Sequence, residues 1–313
     1  MRRIALPAAI AIAAIALVGC QPADEPTPDA TAPAATLRIG TLQTDDLLPA
    51  WVAEAQGFFT GAGLTVTIET FQSAQEQIAA VTAGQIDAIM TDMVVGLQLT
   101  AAGTPMKFVT AMQGAPAGVV AGADTGITTA AQLAGVETGC ASPTILEYIY
   151  DRALQEAGVP DDQIVTTEIK KLPVRLQMLL SGQVKAAVLP WTLFQLAVSQ
   201  GAVPVVGIEQ SGPYTSTVLA FRQEWLGQPG ADIALSGVLA AWDKAVSVIN
   251  DDPDAQRELL ASKANLPAPL DTMYPVRQYP TSGQPPAEQV QSVIDWMTAK
   301  GYLTVPVTVG DVL

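Results

Sequence analysis

A short corner that occurs twice constrains the fold of this 313-residue chain more than any other feature. The sequence GQIDA at 84–88 returns as GQVKA at 182–186, which is 98 positions further on. In both places an amphipathic segment precedes the corner and apolar residues follow it. This pattern predicts a helix, a glycine turn and a buried strand. Two equivalent corners indicate two lobes of similar construction.

The segments around the first corner alternate between strand and helix patterns. Residues 37–42 and 64–70 alternate like strands, 47–59 and 74–82 have helical spacing, and 86–90 is a short apolar run. Strands that alternate with helices predict an α/β fold with a parallel, doubly wound sheet. Because the corner recurs with similar flanks, we expect one such sheet in each lobe.

The N-terminus carries the pattern of a secretory signal. Two arginines precede an apolar run over 4–18, and Leu-Val-Gly-Cys at 17–20 closes it. The run is too short for a membrane span. Its end looks like a bacterial lipobox, which predicts that 1–19 are removed and that Cys20 receives lipid. An ordinary signal that is cleaved elsewhere is the alternative.

The segment after the lipobox predicts a disordered tether over 20–35. It is rich in Pro, Ala and Thr and has no periodicity, so it cannot bury a core. We therefore expect the folded part to begin near Thr36. It would lie outside the cytoplasm, held at the cell membrane by the lipid on Cys20.

Charge and composition exclude several functions. Without the signal, 13 basic residues face 30 acidic ones, a net charge of −17, which argues against a nucleic-acid partner. The chain has no histidine, so Ser-His-Asp and Cys-His catalysis and histidine metal ligation are impossible. Lipidation of Cys20 leaves Cys140 alone, without a disulfide or a cysteine zinc site. We expect no metal, no cofactor and no enzyme, although these counts do not exclude catalysis by carboxylates, Lys or Tyr.

Several motifs are shared with one protein family. The stretch from Leu37 to Ala88, which includes WVAEAQGFF and AGQIDA, resembles the opening of the NitT/TauT-type solute-binding proteins of ABC importers. The LAG turn at 133–135, SPT at 142–144 and SGQVKAAVLPW at 181–191 also match. The resemblance covers the chain from Leu37 onward. Its motifs are structural corners, so they identify the scaffold and leave the ligand open among sulfonates, nitrate, thiamine-pyrimidine precursors and other small molecules.

The resemblance implies a two-lobed fold like that of type II periplasmic binding proteins, with two hinge crossings and a cleft. We expect 36–115 with 215–313 as the first lobe and 116–214 as the second, crossing near 115–116 and 212–213. The implied partners are a small-molecule ligand, an ABC permease and its ATPase, and we expect a monomer.

The chain also departs from the family in two places. Lys185 stands where the second corner usually has an acid, and Pro190-Trp191-Thr192 replaces the usual "PEP" or "DP". These departures concern what the second lobe contributes to the pocket. A related branch contains enzymes that consume one of their own histidines, and the absence of histidine excludes that activity.

Candidate ligand-binding residues lie where strands are expected to end. In open α/β sheets, ligands bind beyond the carboxyl ends of strands, where helix N-termini point their N–H groups. The candidates in such loops or close to them are Gln43, Thr44, Asp45, Asp46, Gln72, Ser73, Thr91, Asp92, Gln113, Cys140, Ser142, Thr144, Arg175 and Trp191.

The acids among them indicate the charge of the ligand. Asp45, Asp46 and Asp92 would offset the positive field of helix N-termini, which favours an amino-bearing or cationic ligand over an anion. Each of these acids could instead cap a helix, as could Ser73. Asp92 follows a buried strand, where a carboxylate is costly unless it is paired or faces a cleft.

The remaining candidates also have alternatives. Cys140 is expected to be a small wall residue and no nucleophile. Ser142 could precede a helix that starts at the next residue, a proline, or Thr144 could cap it in a capping box. Arg175 could reach an anionic group, but solvent is favoured. Trp191 could stack a planar ligand, or it could only pack.

The sequence therefore predicts a lipid-anchored receptor that captures a small organic molecule between two lobes and delivers it to a membrane permease. A surface enzyme on the same fold and a ligand-sensing receptor subunit are the alternatives.

Overall fold

A computed structural model describes residues 35–113, 117–207 and 216–313, which belong to one compact unit. The predicted signal 1–19, the lipidation site Cys20 and the tether up to residue 34 lie outside the described residues. So do the predicted crossings at 115–116 and 212–213. The lobe boundaries stay a prediction.

The described strands form two sheets of five strands each. The first sheet has the order β2-β1-β3-β10-β4 and the second has the order β7-β6-β8-β5-β9. The strands are β1 (Ala35–Leu42), β2 (Leu64–Phe71), β3 (Ala88–Asp92), β4 (Met106–Gln113), β5 (Ala117–Ala121), β6 (Thr138–Cys140), β7 (Thr166–Glu168), β8 (Ala186–Pro190), β9 (Val203–Val206) and β10 (Ser216–Arg222).

Helices flank both sheets, and none of those described is long and apolar enough to cross a membrane. The helices are α1 (Leu48–Ala55), α2 (Phe58–Gly61), α3 (Ala74–Thr82), α4 (Met93–Ala101), α5 (Ile145–Glu156), α6 (Leu172–Leu180), α7 (Trp191–Ser199), α8 (Gln223–Leu226), α9 (Ala231–Asp251), α10 (Arg257–Lys263), α11 (Leu270–Met273), α12 (Ala287–Ala299) and α13 (Val309–Val312).

The two sheets share one topology. It confirms the expected α/β class, but the expectation that all strands of each sheet run parallel is wrong. β1 runs parallel to β2 and β3, and β6 runs parallel to β7 and β8. In each sheet one strand is antiparallel to its neighbours, β10 in the first and β5 in the second. Both sheets are therefore mixed. In each of them, the antiparallel strand is the first one after the chain changes sheets.

The repeated corner is the centre of a longer structural repeat. The bounds of α3, β3 and α4 shifted by 98 positions give the bounds of α6, β8 and α7. Gly84 and Gly182 have backbone φ angles of 71° and 72°, a left-handed conformation that glycine adopts without a Cβ clash. The corner is therefore a turn that needs glycine in both sheets.

The repeat extends to a pair of buried polar side chains. Gln77 in α3 donates from Nε2 to the Met90 carbonyl at 3.0 Å. Arg175, 98 positions later in α6, donates from Nη1 to the Val188 carbonyl at 2.8 Å. Each side chain thus ties its helix to the same place on the following strand.

A helix of the second sheet also packs on the C-terminal part of the chain. Ile145, Tyr148 and Ile149 of α5 share a core with Trp296 and Met297 of α12. On the same helix, buried Glu147 and Asp151 lie 3.3 and 2.7 Å from Nζ of Lys300. The Trp296 indole N–H donates to Asp151 at 2.8 Å. Apolar packing and buried ion pairs therefore join α5 to the C-terminal part of the chain.

Candidate functional site

A cavity of about 430 Å³ lies where the carboxyl ends of the parallel strands of both sheets face each other. The loops after β1, β2 and β3 form one side, and those after β6, β7 and β8 form the other. Residues 264–267 and Leu270, around the loop between α10 and α11, complete the wall. This is the expected location for a ligand in α/β sheets, and the volume suits a small organic molecule.

Most of the predicted binding residues line this cavity. They are Gln43, Thr44, Asp45, Asp46, Gln72, Ser73, Thr91, Asp92, Thr144, Arg175 and Trp191. Cys140 and Ser142 are not in its wall, and the Ser142 N–H donates to Glu168 at 3.0 Å. The side chain of Gln113 lies outside the described residues.

Much of the cavity wall is apolar. Its apolar residues include Leu172, Leu176, Trp191, Leu193, Leu196, Leu266 and Leu270. The ring of Trp191 stacks on Phe194, with centroids 5.0 Å apart and planes inclined by 18°. Phe194 thereby holds the orientation of Trp191, which presents a half-buried aromatic surface to the cavity.

Asp45 and Asp46 are neither helix caps nor free acids. Both lie in a 3-10 turn after β1, whose cap position is Thr44. Arg277 donates from Nε to Asp45 Oδ2 at 2.9 Å and from Nη2 to Asp46 Oδ1 at 3.0 Å. Burial, followed by repulsion from Asp45, raises the pKa of Asp46, and Arg277 opposes this rise. The N-cap interpretation is wrong for both acids.

Sequence reasoning missed Arg277 as a residue of the site. It is 232 positions from Asp45, in a segment that no strand or helix pattern marks. Its guanidinium lies 4.9 Å from the ring centroid of Tyr279, whose hydroxyl donates to the Asp45 carbonyl at 2.9 Å. No local sequence signal marks this contact, because Arg277 and Asp45 are brought together only by the folded chain.

Asp92 has both of the roles that the sequence left open. Its carboxylate caps α4 by accepting from the Val95 N–H at 2.9 Å, and it also lines the cavity. Burial raises its pKa to about 6, while N–H groups of Val95, Ile145 and Val94 oppose the rise. Because Ile145 begins α5, this carboxylate interacts with helix N-termini from both sheets.

Ser73 and Thr144 are helix caps at the edge of the cavity. Ser73 accepts from the Glu76 N–H, and Thr144 accepts from the Glu147 N–H, each at 3.3 Å. The helix therefore starts after Thr144 and not at Pro143. The Glu147 carboxylate accepts from Lys300 and from the Tyr302 hydroxyl, so it does not complete a capping box.

The expectation that Arg175 is solvated is wrong. Only 1% of the residue is exposed, and Nε and Nη2 donate to the Ile169 carbonyl at 3.0 and 2.7 Å. Burial lowers its pKa, and electrostatic interactions with Cys140 and Glu168 oppose this. Arg175 thus places a positive charge at the cavity wall where the equivalent residue of the first sheet, Gln77, is neutral.

Cys140 differs from its predicted position, whereas Trp191 lines the cavity. In the repeat, Trp191 matches Met93, and Pro190 matches Asp92, so Trp191 lies one position beyond the residues that match Thr91 and Asp92. The N-terminus of α7 consequently has no side-chain cap. Cys140 is fully buried in the core of the second sheet, and burial raises the pKa of its thiol to about 12.

The described residues contain no cluster of three or more acids, cysteines or histidines that could hold a metal ion.

Two mixed α/β sheets with a cavity at their carboxyl ends define the architecture of the two-lobed periplasmic binding proteins. The chain belongs to the NMT1/THI5-like family, whose model matches residues 45–256. A comparison with curated protein sequences finds no match.

Solved structures with this fold include binding proteins and an enzyme. The alkanesulfonate-binding protein SsuA from Xanthomonas axonopodis pv. citri, bound to MOPS, is 19% identical with a TM-score of 0.75, over 90% of this chain and 99% of that one. The periplasmic nitrate-binding protein NrtA from Synechocystis PCC 6803 is 15% identical with a TM-score of 0.69, over 88% and 83%. The desulfurization enzyme DszB is 16% identical with a TM-score of 0.65, over 88% and 95%. The expected NitT/TauT-type scaffold is confirmed.

Proposed function

We propose that this chain is an extracytoplasmic solute-binding protein that captures a small organic molecule and delivers it to an ABC permease and its ATPase. The observation that carries the proposal is the cavity, which both sheets enclose at the carboxyl ends of their strands. Asp92 of the first sheet interacts with the N–H of Ile145 in α5, so the two sides already meet beside the cavity. The fold shared with SsuA and NrtA supports the same role.

The wall of the cavity indicates the chemistry of the ligand. Arg277 pairs with Asp45 and Asp46, which leaves Asp92 as the cavity acid with no ion pair among the described residues. Arg175 adds a buried positive charge on the opposite side. Because Arg277 neutralises part of the charge of Asp45 and Asp46, the acids of the cavity no longer argue for a cationic ligand. We propose a planar or branched apolar body that rests on Trp191, with a polar head, such as an amino or hydroxyl group, that donates a hydrogen bond to Asp92.

The alternative of a surface enzyme is less well supported, although DszB shows that the fold can carry one. Cys140 is the single thiol of the chain besides Cys20, and it is buried away from the cavity with a raised pKa. A thiol of this kind is a poor nucleophile. The cavity therefore supports binding better than catalysis.

The N-terminal sequence supports the proposed location, and the likeness to binding proteins of ABC importers supports the proposed partners. We propose that Cys20 is lipidated, that 20–35 is a tether, and that the folded part acts as a monomer at the outer face of the cell membrane. A sensor would use the same cavity. Co-purification of the ligand-loaded protein with a permease would favour import, and co-purification with a signalling subunit would favour the sensor.

Thermal unfolding with a series of probes tests the binding role. We choose 2-phenylethanol, 2-phenylethylamine and 2-phenylethanesulfonate, which share one apolar body and differ in the head group. A probe at 100 times its dissociation constant adds about 2.7 kcal/mol to the free energy of unfolding.

We expect at least one probe to raise Tm, and we expect Trp191→Ala to reduce this shift. Ile233→Ala, at a residue that is 75% exposed and outside the cavity wall, is the control and should keep the shift. Equal shifts in wild type and Trp191→Ala would mean that the probes bind elsewhere.

A further inference from the structure

Arg277 joins two acids of the cavity wall to the segment that forms part of its apolar wall. Its two ion pairs, at 2.9 and 3.0 Å, hold Asp45 and Asp46, and both of these acids line the cavity. The side chain of Arg277 is 19% exposed, while those of Asp45 and Asp46 are 4% and 11% exposed. The cluster is therefore largely shielded from water, so that electrostatic interactions with its charges are screened only weakly.

The segment that carries Arg277 starts at the cavity. Leu266 and Leu270 contribute to the wall, and the chain then runs past the acids to Tyr279. The backbone of Tyr279 is tied to Asn250 of α9 by two hydrogen bonds of 2.8 Å. Tyr279 also donates to the Asp45 carbonyl. Arg277 is thus held in place independently of any ligand.

The acids are also held from the sheet. Thr217 of β10 donates to Asp46 Oδ1 at 3.2 Å, the same oxygen that Arg277 contacts. The Thr44 side chain is a further partner of Asp46. Because partners fix Asp46 on several sides, its carboxylate cannot swing away when the charge beside it changes.

We propose that Arg277 is a specificity-determining residue of the cavity that acts through Asp45 and Asp46 without touching the ligand. With Arg277 in place and both carboxylates ionised, the three groups carry a net charge of −1, and this part of the cavity can accept head groups that are not cations. Without it they would carry up to −2, less any proton that the neighbouring carboxylates take up, and the cavity would favour a positively charged head. The inference rests on the proposed binding role and goes beyond it by assigning the charge preference to one residue.

The test compares charge selectivity in a matched set of variants. The dissociation constants of 2-phenylethylamine and 2-phenylethanesulfonate are measured by calorimetry, and their ratio is the readout. We expect Arg277→Met to shift this ratio toward the amine by about tenfold or more, since one unit charge is lost at a few ångströms from the lining acids. Arg277→Lys should keep the wild-type ratio, because it keeps the charge.

Two further variants separate charge from structure. The double variant Asp46→Asn with Arg277→Met restores a net charge of −1 and should return the ratio toward the wild-type value. Asp46→Asn alone should shift it toward the sulfonate, which keeps the test decisive if Arg277→Met does not fold. Arg222→Met, at the end of β10 away from Thr217, removes an arginine outside the cavity wall and should leave the ratio unchanged.

The outcomes distinguish this inference from the binding role. If wild type binds the probes and neither Arg277→Met nor Asp46→Asn changes the ratio, the charge role of Arg277 is overturned and the binding role stands. Equal weakening of both probes in Arg277→Met, without recovery in the double variant, would assign Arg277 a purely structural role. If none of these probes binds the wild-type protein, the proposed ligand chemistry fails and this inference fails with it.

Discussion

Replacing Asp92 with asparagine is expected to stabilise the protein at neutral pH and to weaken ligand binding. The carboxylate caps α4 and lines the cavity, where burial raises its pKa from 3.8 to about 6. Asparagine caps helices about as well as aspartate does, so the substitution removes the charge and keeps the cap. The two effects have opposite signs because the charge is costly to the fold and useful to a hydrogen-bond donor on the ligand.

The magnitude follows from linkage between protonation and folding. A pKa raised from 3.8 to about 6 corresponds to about 3 kcal/mol at about 1.4 kcal/mol per pKa unit. Because Asp92 is only half-buried at the cavity wall, water screens its charge, and we expect about 1.5–3 kcal/mol.

The sign is fixed by which state binds the proton more tightly. The folded state does, so the contribution of Asp92 to stability is fully present below a pH of about 3.8 and is lost as the pH rises through about 6. The asparagine side chain of the variant does not titrate. The variant should therefore nearly match wild type at about pH 3.5, gain stability between about pH 4 and pH 6, and keep a constant gain above about pH 7.

Urea unfolding at about pH 3.5, 4.5, 5.5 and 7.5, which bracket both pKa values, measures this difference, and calorimetry with 2-phenylethanol measures binding. Binding should weaken by about 0.5–1.5 kcal/mol, the usual net value of one hydrogen bond. A difference in unfolding free energy that is the same at every pH would refute the titration of Asp92. Unchanged affinity would show that Asp92 does not contact the ligand.

Three further predictions concern the α5 contact, the anchor and the cleft. Lys300→Met should cost about 1–3 kcal/mol of unfolding free energy, because Glu147 and Asp151 stay buried without their cation while water screens the partly exposed Lys300; Lys263→Met, whose partner Glu54 is itself exposed, should cost less than about 1 kcal/mol, and equal losses would contradict this. Cys20→Ser should release the protein from membranes, whereas sedimentation with membranes after a salt wash would refute lipidation. A bound ligand should make the small-angle scattering profile more compact through hinge closure, and identical profiles would count against a closing cleft.

Local patterns in the sequence were enough to predict several elements of the fold. The turn at Gly84 and its copy at Gly182 lie where they were predicted, and both need glycine. The apolar run at 86–90 was predicted as a strand, and β3 begins at Ala88 within it. These features depend on the period of apolar residues and on turn chemistry, which a few neighbouring residues set.

The positions of the lining residues could also be predicted, because the carboxyl ends of parallel strands meet at one edge of a sheet. Applied to the sequence, this rule predicts Asp45, Asp92 and Trp191 at the wall of the site, and all three line the cavity. It failed for Cys140, whose side chain points into the core of the second sheet. Position along a strand end does not determine which face of the sheet a side chain takes.

The charge of the site, in contrast, is a product of the complete fold. Arg277 reaches Asp45 and Asp46 from more than 230 positions away, and Arg175 turns inward to bind the Ile169 and Val188 carbonyls. Neither contact leaves a local signal, because an ion pair depends on distance in space and on burial. The order of residues along the chain thus determines where the cavity lies, and long-range packing determines which of its acids remain unpaired.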